Sequence, residues 1–597
     1  MGGDSKVDGK EGPLDGRQTQ SPFDVRPAKK TSRRSRYLLA AILIPLYLGA
    51  TFYKYQVGHA RQEQVSAMLE AAQCPVQPIG YRSVMSQWPV EGLSAADKEL
   101  YVQRLSKAIQ METVSYDDMY PTDPLQAPED GGDERWLKHA RFNAWVRSEW
   151  PLVYEHLEVE YVTKYSTLLT LPGTNPSLPP VLLMSHQDTV PVQTATIGEW
   201  HHPPFEGRVT DPKDDPRGKR WIYGRGALDC KGLVTSELNA LERIVKERLA
   251  AGRDIRGERT VVMSIGFDEE IMGIKGAGNN SRVLQERYGQ DSFAFVIDEG
   301  STGIETEYGL RVASLGLSEK GSLGAKLQID VPGGHASKPP RHTGLGILSL
   351  LIAELEAHPN PHTLNAESLY LRYLTCLAQH APSMPSGLRS RVLDPTAWPA
   401  LADDLAQDDE LRAHLATTMA ANVARAGEKI NALPEHSEAI IDSRVGWDDT
   451  VAAVQARYAA VIGPVVERLN LTLEAFGEVV SEGVEGRGKV TLGLSVPSAG
   501  REHAPITPSE GPIWELIAGT VRHVWGEDVI VAPKGMIAGT DTNYMKPLSK
   551  NIFRFRAVPL DEGQNVHTVN ERITDDALFG ITQYVYELLV NLEGWRE

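Results

Sequence analysis

TVVMSIGFDEE, residues 260–270, is an apolar run that ends in three consecutive acids, Asp268, Glu269 and Glu270. FAFVIDEG, residues 293–300, repeats the design with Asp298 and Glu299, and PVLLMSH, residues 180–186, ends on His186. Working outward, LEVEYV (157–162) and STLLTL (166–171) read as strands, and the stretch from Gly232 to Ala250 reads as a helix. Alternating strands and helices predict an α/β domain with a largely parallel sheet. In such open sheets, functional groups gather outside the carboxyl ends of the strands. Carboxylates left there unpaired and out of water are costly, and a divalent cation removes that cost.

The α/β character is interrupted. GSLGAKLQIDV (321–331) alternates as a strand, GLGILSLLIAELEAH (344–358) reads as a helix, and SEAIIDSRV (437–445) is a further strand. After Pro505 a helix at 512–525, the strand NIFRF (551–555) and a closing helix at 574–593 return to the first pattern. The expected organisation is a catalytic domain in two parts, 95–316 and 505–597, around an inserted α+β lid and dimerisation domain, 317–504. Ahead of it, residues 1–36 are polar and Gly/Pro/Ser-rich, and read as a disordered cytosolic tail. Residues 37–53, YLLAAILIPLYLGATFY, carry no charge and follow a basic run, Arg26 to Arg36. This predicts a transmembrane signal anchor at 37–55 with the rest of the chain translocated, and a stalk at 56–94. The expected location is therefore a single-pass type II membrane protein with its catalytic domain in a vacuole-like or secretory lumen. There, Asn279 and Asn470 stand in glycan-acceptor triplets.

The chain has 597 residues and a formal net charge of −18, which argues against nucleic-acid binding. A single apolar segment excludes a transporter. Three scattered cysteines, Cys74, Cys230 and Cys376, imply no disulfide framework and leave any one pairing open. With no Cys/His cluster, a metal site must draw on histidine and carboxylate. His186 and Asp188 lie two apart on one strand and face the same way, so Asp188 can orient a ligand imidazole. Asp229 sits in the glycine-rich turn GRGALDCKG (224–232), and His567 lies far downstream in VHTVNER (566–572).

These motifs, taken in order with WHHPPFEG (200–207), GGHAS (333–337), KINALPE (429–435) and GTDTN (539–543), resemble the M20 metallopeptidases, and within them the carboxypeptidase S (Gly-X carboxypeptidase) group. The resemblance implies two zinc ions per subunit. His186 and Asp298 would hold one, Glu270 and His567 the other, and Asp229 would bridge them; Glu299 is the alternative to Asp298. It implies Glu269 as general base acting on a metal-bound hydroxide, and Asp188 as the orienting carboxylate. The relatives' second Asp after the bridging one is Cys230 here, which raises the question of a reactive thiol. On the insert, His335 would donate to a developing oxyanion, often in a neighbouring subunit, which implies a homodimer. Asn431, Arg444 and Gly539 match substrate-binding positions, and an arginine's fork of donors suits a free carboxylate. His201, His202 and His342 are expected to be loop or structural residues.

The function expected is hydrolysis of the C-terminal amide bond of short peptides. An N-acyl amino acid hydrolase with the same metals is the alternative within enzymes. A non-catalytic, membrane-anchored binding protein is the alternative outside them, and it predicts loss of a ligand or of the base. All five ligand positions and Glu269 are filled.

Overall fold

The computed structural model describes residues 33–89, 92–120, 122–496 and 499–597. The expected tail up to residue 32 lies outside the described residues. The expected anchor falls on helix α1, Arg33–Ala71, where the side chains of 33–46 and several later positions are also outside them. Among the described residues no helix is long and apolar enough to cross a membrane. Up to Ala67 this helix belongs to a unit of its own, and everything below concerns the unit Met68–Glu597.

Among the described residues the catalytic sheet has nine strands, one of which, Gly303–Glu307, pairs only with the strand Leu310–Glu319. β1 (Glu158–Val162) and β2 (Ser166–Leu171) form an antiparallel edge. β3 (Val181–His186), β4 (Val261–Gly266) and β5 (Phe295–Asp298) form a parallel centre. These central strands are buried throughout, so they read in sequence as unbroken apolar runs. β6 (Leu310–Glu319) and β15 (Ile530–Met536) pair in parallel at the other edge, with β16 (Ile552–Arg554) between β5 and β6. The sheet is thus parallel at its centre and mixed at its margins. Helix α2 (Ala95–Gln110) starts where the Ser94 side chain accepts from the Asp97 N–H. It packs with α3 (Lys231–Ala250) and the closing helix α7 (Asp575–Asn591) over one face. Leu238, Leu241, Val245, Leu578 and Leu588 in that layer are at most 1% exposed. Each such side chain contributes about 1.5–3 kcal/mol by leaving water.

The insert's sheet follows the order β9 (Thr418–Ala426), β11 (His436–Val445), β7 (Gly321–Asp330), β14 (Lys489–Leu494), β12 (Thr472–Ala475), β13 (Glu478–Ser481). Alternate residues of β7 and β11 pack beneath α4 (Gly344–Ala357) and α6 (Val451–Arg468). A two-stranded arm, β8 (Gly334–His335) with β10 (Ala432–Leu433), stands apart from this sheet.

Three boundaries differ from the sequence reading. The insert begins at Gly321 rather than 317, because β6 stays paired with β15, through one register shift after Gly316, as far as Glu319, opposite Met536. Residues 360–416 are not lid in their packing. Helix α5 (Leu369–His380) and the short helices after it bury Leu371, Leu374 and Trp398 in one cluster with Val312, Ile530 and Ala532 of the catalytic sheet. Finally, residues 72–89 are a strap rather than a stalk. Gln77 exchanges two hydrogen bonds with the Val531 backbone, Tyr81 N–H donates to Gly519, and Ser83 N–H donates to Asn591. Cys74 is bonded to Cys376 of α5, 302 residues away, which resolves the pairing the sequence left open.

Candidate metal centre

β3 and β4 run side by side with His186 opposite Gly266, so the imidazole and the acidic run after Gly266 leave the sheet together. Two residues beyond His186, Asp188 is fully buried and ties the two together. One of its oxygens is 3.2 Å from His186 Nδ1. It accepts from Ser115 Oγ at 2.8 Å and from the backbone N–H groups of Glu269 and Glu270, both at 3.2 Å. Burial pushes its pKa up, but the imidazole and these donors outweigh that and hold it down. Asp188 therefore orients the histidine and fixes the acidic turn at once.

Asp229 lies between two histidines. Its Oδ1 is 3.2 Å from His186 Nε2 and its Oδ2 is 3.2 Å from His567 Nε2. Glu270 adds an oxygen 3.3 Å from His567 Nε2, and its other oxygen accepts from Val190 N–H. One ligand atom each from His186, Asp229 and Glu270 lies within 4.8 Å of the other two, and the same holds for His186, Cys230 and Glu299. The two imidazoles sit differently: His186 is 1% exposed, whereas the His567 side chain is 49% exposed on a loop with φ +60°.

At the end of β5 both carboxylates named from the sequence, Asp298 and its alternative Glu299, lie buried. The carboxylate that meets His186 is Glu299, with Oε1 3.3 Å from Nε2. Asp298 instead accepts the Glu299 N–H, and its Oδ2 is buried without a partner. Successive side chains at a strand end point to opposite sides, so only one of the pair can reach His186. Burial first, then Glu299, raises the Asp298 pKa to about 8. Burial also raises Glu270 to about 7 and Glu269 well above the usual carboxylate range, with Glu270, Asp541 and Glu299 adding to the effect at Glu269. Burial alone would raise Asp229, but its two imidazole partners hold it well down. Hydrogen bonds to Asp229 and Glu270 lift His567 to about 10.

Sequence reasoning missed several supports. Glu571, buried and four residues after His567, accepts from Arg225 at 2.7 Å and from the N–H groups of Gly226, Leu228 and Asp229 at 3.0, 3.0 and 3.2 Å. It ties the loop of Asp229 to the segment of His567. Asp541, two residues past Gly539, is buried against the acidic turn. A Cβ at Gly273, where φ is +66°, would fall 1.9 Å from its Oδ1. The signal was an acid inside an otherwise turn-like GTDTN. Cys230 is fully buried, accepts the His186 N–H at 3.1 Å and donates to the His186 carbonyl. Burial raises its pKa well above normal. It is a packing and hydrogen-bonding group rather than a nucleophile.

The remaining predicted residues lie away from this cluster. His335 is exposed on the arm, and the hydrogen bonds of its ring, among the described residues, are to Ser337, leaving Nε2 open. Asn431 is exposed beside it, its carbonyl accepting the Ala336 N–H. Arg444 is on β11, its Nε 3.0 Å from Asp442 Oδ2, with 42% of the side chain exposed. Asn470 is exposed, whereas the Asn279 amide donates to the Lys275 carbonyl and to Thr163 from within a helix. That placement disfavours Asn279 as a glycan acceptor. His201 and His202 pack against Tyr223.

Two imidazoles and a set of carboxylates around one bridging carboxylate fit a pair of divalent cations. The donors are nitrogen and oxygen, as zinc takes, and cations would relieve the desolvated negative charge.

The family model "Peptidase family M20/M25/M40" matches residues 182–591. Carboxypeptidase S of Saccharomyces cerevisiae is 31% identical over 96% of this chain and 99% of its own length. The mouse N-fatty-acyl-amino acid synthase/hydrolase PM20D1 is 31% identical over 77% of this chain and 83% of its own. Human carnosine dipeptidase 1 shares the fold, with a TM-score of 0.57 at 14% identity over 84% of this chain and 97% of that one. The chain belongs to peptidase family M20/M25/M40 and is a hydrolase of the metallopeptidase type.

Proposed function

We propose that this protein is a two-zinc carboxypeptidase that removes the C-terminal residue from short peptides. The observation that carries the reading is Asp229, whose two oxygens each face a different histidine at 3.2 Å. His186, Glu299 and one Asp229 oxygen would hold the first ion; His567, Glu270 and the other oxygen would hold the second. Bound there, the pair supplies Lewis acidity and a water acidified towards neutrality.

The chain's own residues do the rest. Glu269 adjoins the ligand Glu270, and Asp188 fixes its backbone by accepting the Glu269 N–H at 3.2 Å. It takes a proton from the attacking water and passes it to the leaving amine. Asp188 keeps the His186 Nδ1 proton in place, so Nε2 stays directed at the ion. His335, with Nε2 open, donates to the carbonyl oxygen as charge develops, and Asn431 lies beside it on the arm. Arg444 receives the substrate's carboxylate. Among the described residues no hydrogen bond joins His335 to the cluster of its own chain, which favours a homodimer in which His335 serves a neighbouring subunit.

Glu269→Gln should keep its metal and lose about 10²–10⁴-fold in turnover, the usual contribution of a positioned base. Normal turnover in that variant would remove Glu269 from the role.

A second reading, hydrolysis of N-acyl amino acids, is supported by the likeness to the mouse N-fatty-acyl-amino acid enzyme. N-blocked Gly-Leu assayed against N-acetyl and long-chain N-acyl amino acids separates the two, since only a carboxypeptidase prefers the first.

The location proposed is lumenal, behind a single N-terminal anchor. The Cys74–Cys376 bond suits an oxidising compartment, and residues 37–53 are free of charge.

A further inference from the structure

The inserted domain holds a cavity of about 460 Å³ that the proposed reaction does not use. It lies at the root of the arm, with Val331 and Leu433 on its walls. Its floor is Ile347 of α4 and Leu471, which are 4% and 3% exposed. Arg341, Arg468 and Arg487 line it, with His342 beside them, and no acidic side chain does. That runs against the composition, because the chain carries 79 acids to 61 Lys and Arg.

Among the described residues, none of these three arginines forms an ion pair or a side-chain hydrogen bond. Exposed arginines elsewhere on the molecule do find partners: Arg311 meets Asp528 and Arg596 meets Glu258, both at 3.0 Å. Three guanidinium groups line one space, and among the described residues no acidic side chain pairs with any of them. The start of α4, capped by Thr343 at the cavity edge, adds partial positive charge. An apolar floor beneath a few charged groups is the usual construction of a small-molecule site, and the volume falls within the usual range.

We propose that this cavity binds a small amphipathic anion, its head on the three arginines and its apolar body on Ile347, Leu433 and Leu471. Guanidinium forks suit a carboxylate or a phosphate ester alike, and the apolar floor excludes a bare inorganic ion as the fitting ligand.

Calorimetric titration of the full chain tests this with four probes: octanoate, octyl phosphate, inorganic phosphate and octanol. Octanoate or octyl phosphate should bind at low millimolar concentration or better, and which of them binds tighter identifies the head group. Inorganic phosphate and octanol should bind at least about tenfold more weakly, because each lacks half of the interaction. Arg468→Ala combined with Arg487→Ala should weaken the amphipathic probe at least about tenfold. His186→Ala, which disrupts the metal centre, should leave that binding intact. Equal binding of inorganic phosphate, binding that survives in the arginine variant, binding lost in His186→Ala, or no binding of either octyl probe would each overturn the proposal.

Discussion

The two histidine ends of the metal centre are built in opposite ways. His186 closes a central strand, is 1% exposed, and is held by Asp188 on its ring and Cys230 on its backbone. Its position follows from the packing of the sheet. His567 projects from a loop in the left-handed backbone region with half of its side chain open to solvent, and among the described residues its side-chain partners are Asp229 and Glu270. One end is therefore preassembled by the core, and the other is assembled by electrostatics and by the Glu571 bracket. A hydrolase gains from this division, because the open end can admit substrate while the buried end keeps an ion in place.

The largest effect should come from the residue the two ends share. Asp229→Ala should abolish turnover and reduce binding at both positions; a variant that loses only one ion would show that the carboxylate does not bridge. Next, the supports should rank with the ligands they hold. Asp188→Asn and Glu571→Gln should each lower metal affinity or activity about 10–100-fold, as such supporting partners usually do. Metal titration should show the Asp188 change acting at the His186 end. A change acting equally at both ends would erase the contrast. At the same end, Glu299→Gln should weaken metal binding more than Asp298→Asn, and the reverse order would restore Asp298 as the ligand. The smallest effect on chemistry should come from Cys74→Ser. Losing the bond should cost about 2–5 kcal/mol of stability in thermal or denaturant unfolding while leaving kcat unchanged. A large fall in kcat would tie the strap to the site.

Much of the centre was legible because strand ends are local. Apolar runs stopping at His186, Asp268 and Asp298 mark where the sheet opens, and the acids that follow have few structural uses there. Which of Asp298 and Glu299 faces His186 was not local, since it depends on the residue at which β5 stops. Glu571 and Asp541 were missed because a buried acid and a solvated acid look alike in sequence. Burial is decided by partners more than 200 positions away, such as the turn at 226–229 for Glu571 and Gly273 for Asp541. Cys74 and Cys376 are 302 residues apart, and no spacing rule connects them. The helices of 369–415 follow lid sequence yet pack on β15, because the apolar face of α5 finds its cover on the catalytic sheet. The lid residues His335, Asn431 and Arg444 were placed by motif alone, and the structure puts them on the arm and on β11 rather than in the cluster.

The account rests on paired cations beneath Asp229, and metal analysis of the purified full-length chain tests it most directly. Two divalent ions per chain are predicted, with mild chelation removing the one at His567 first and the one at His186 last. A fully active chain that binds a single ion, or that loses both in one step at the same chelator concentration, would contradict it.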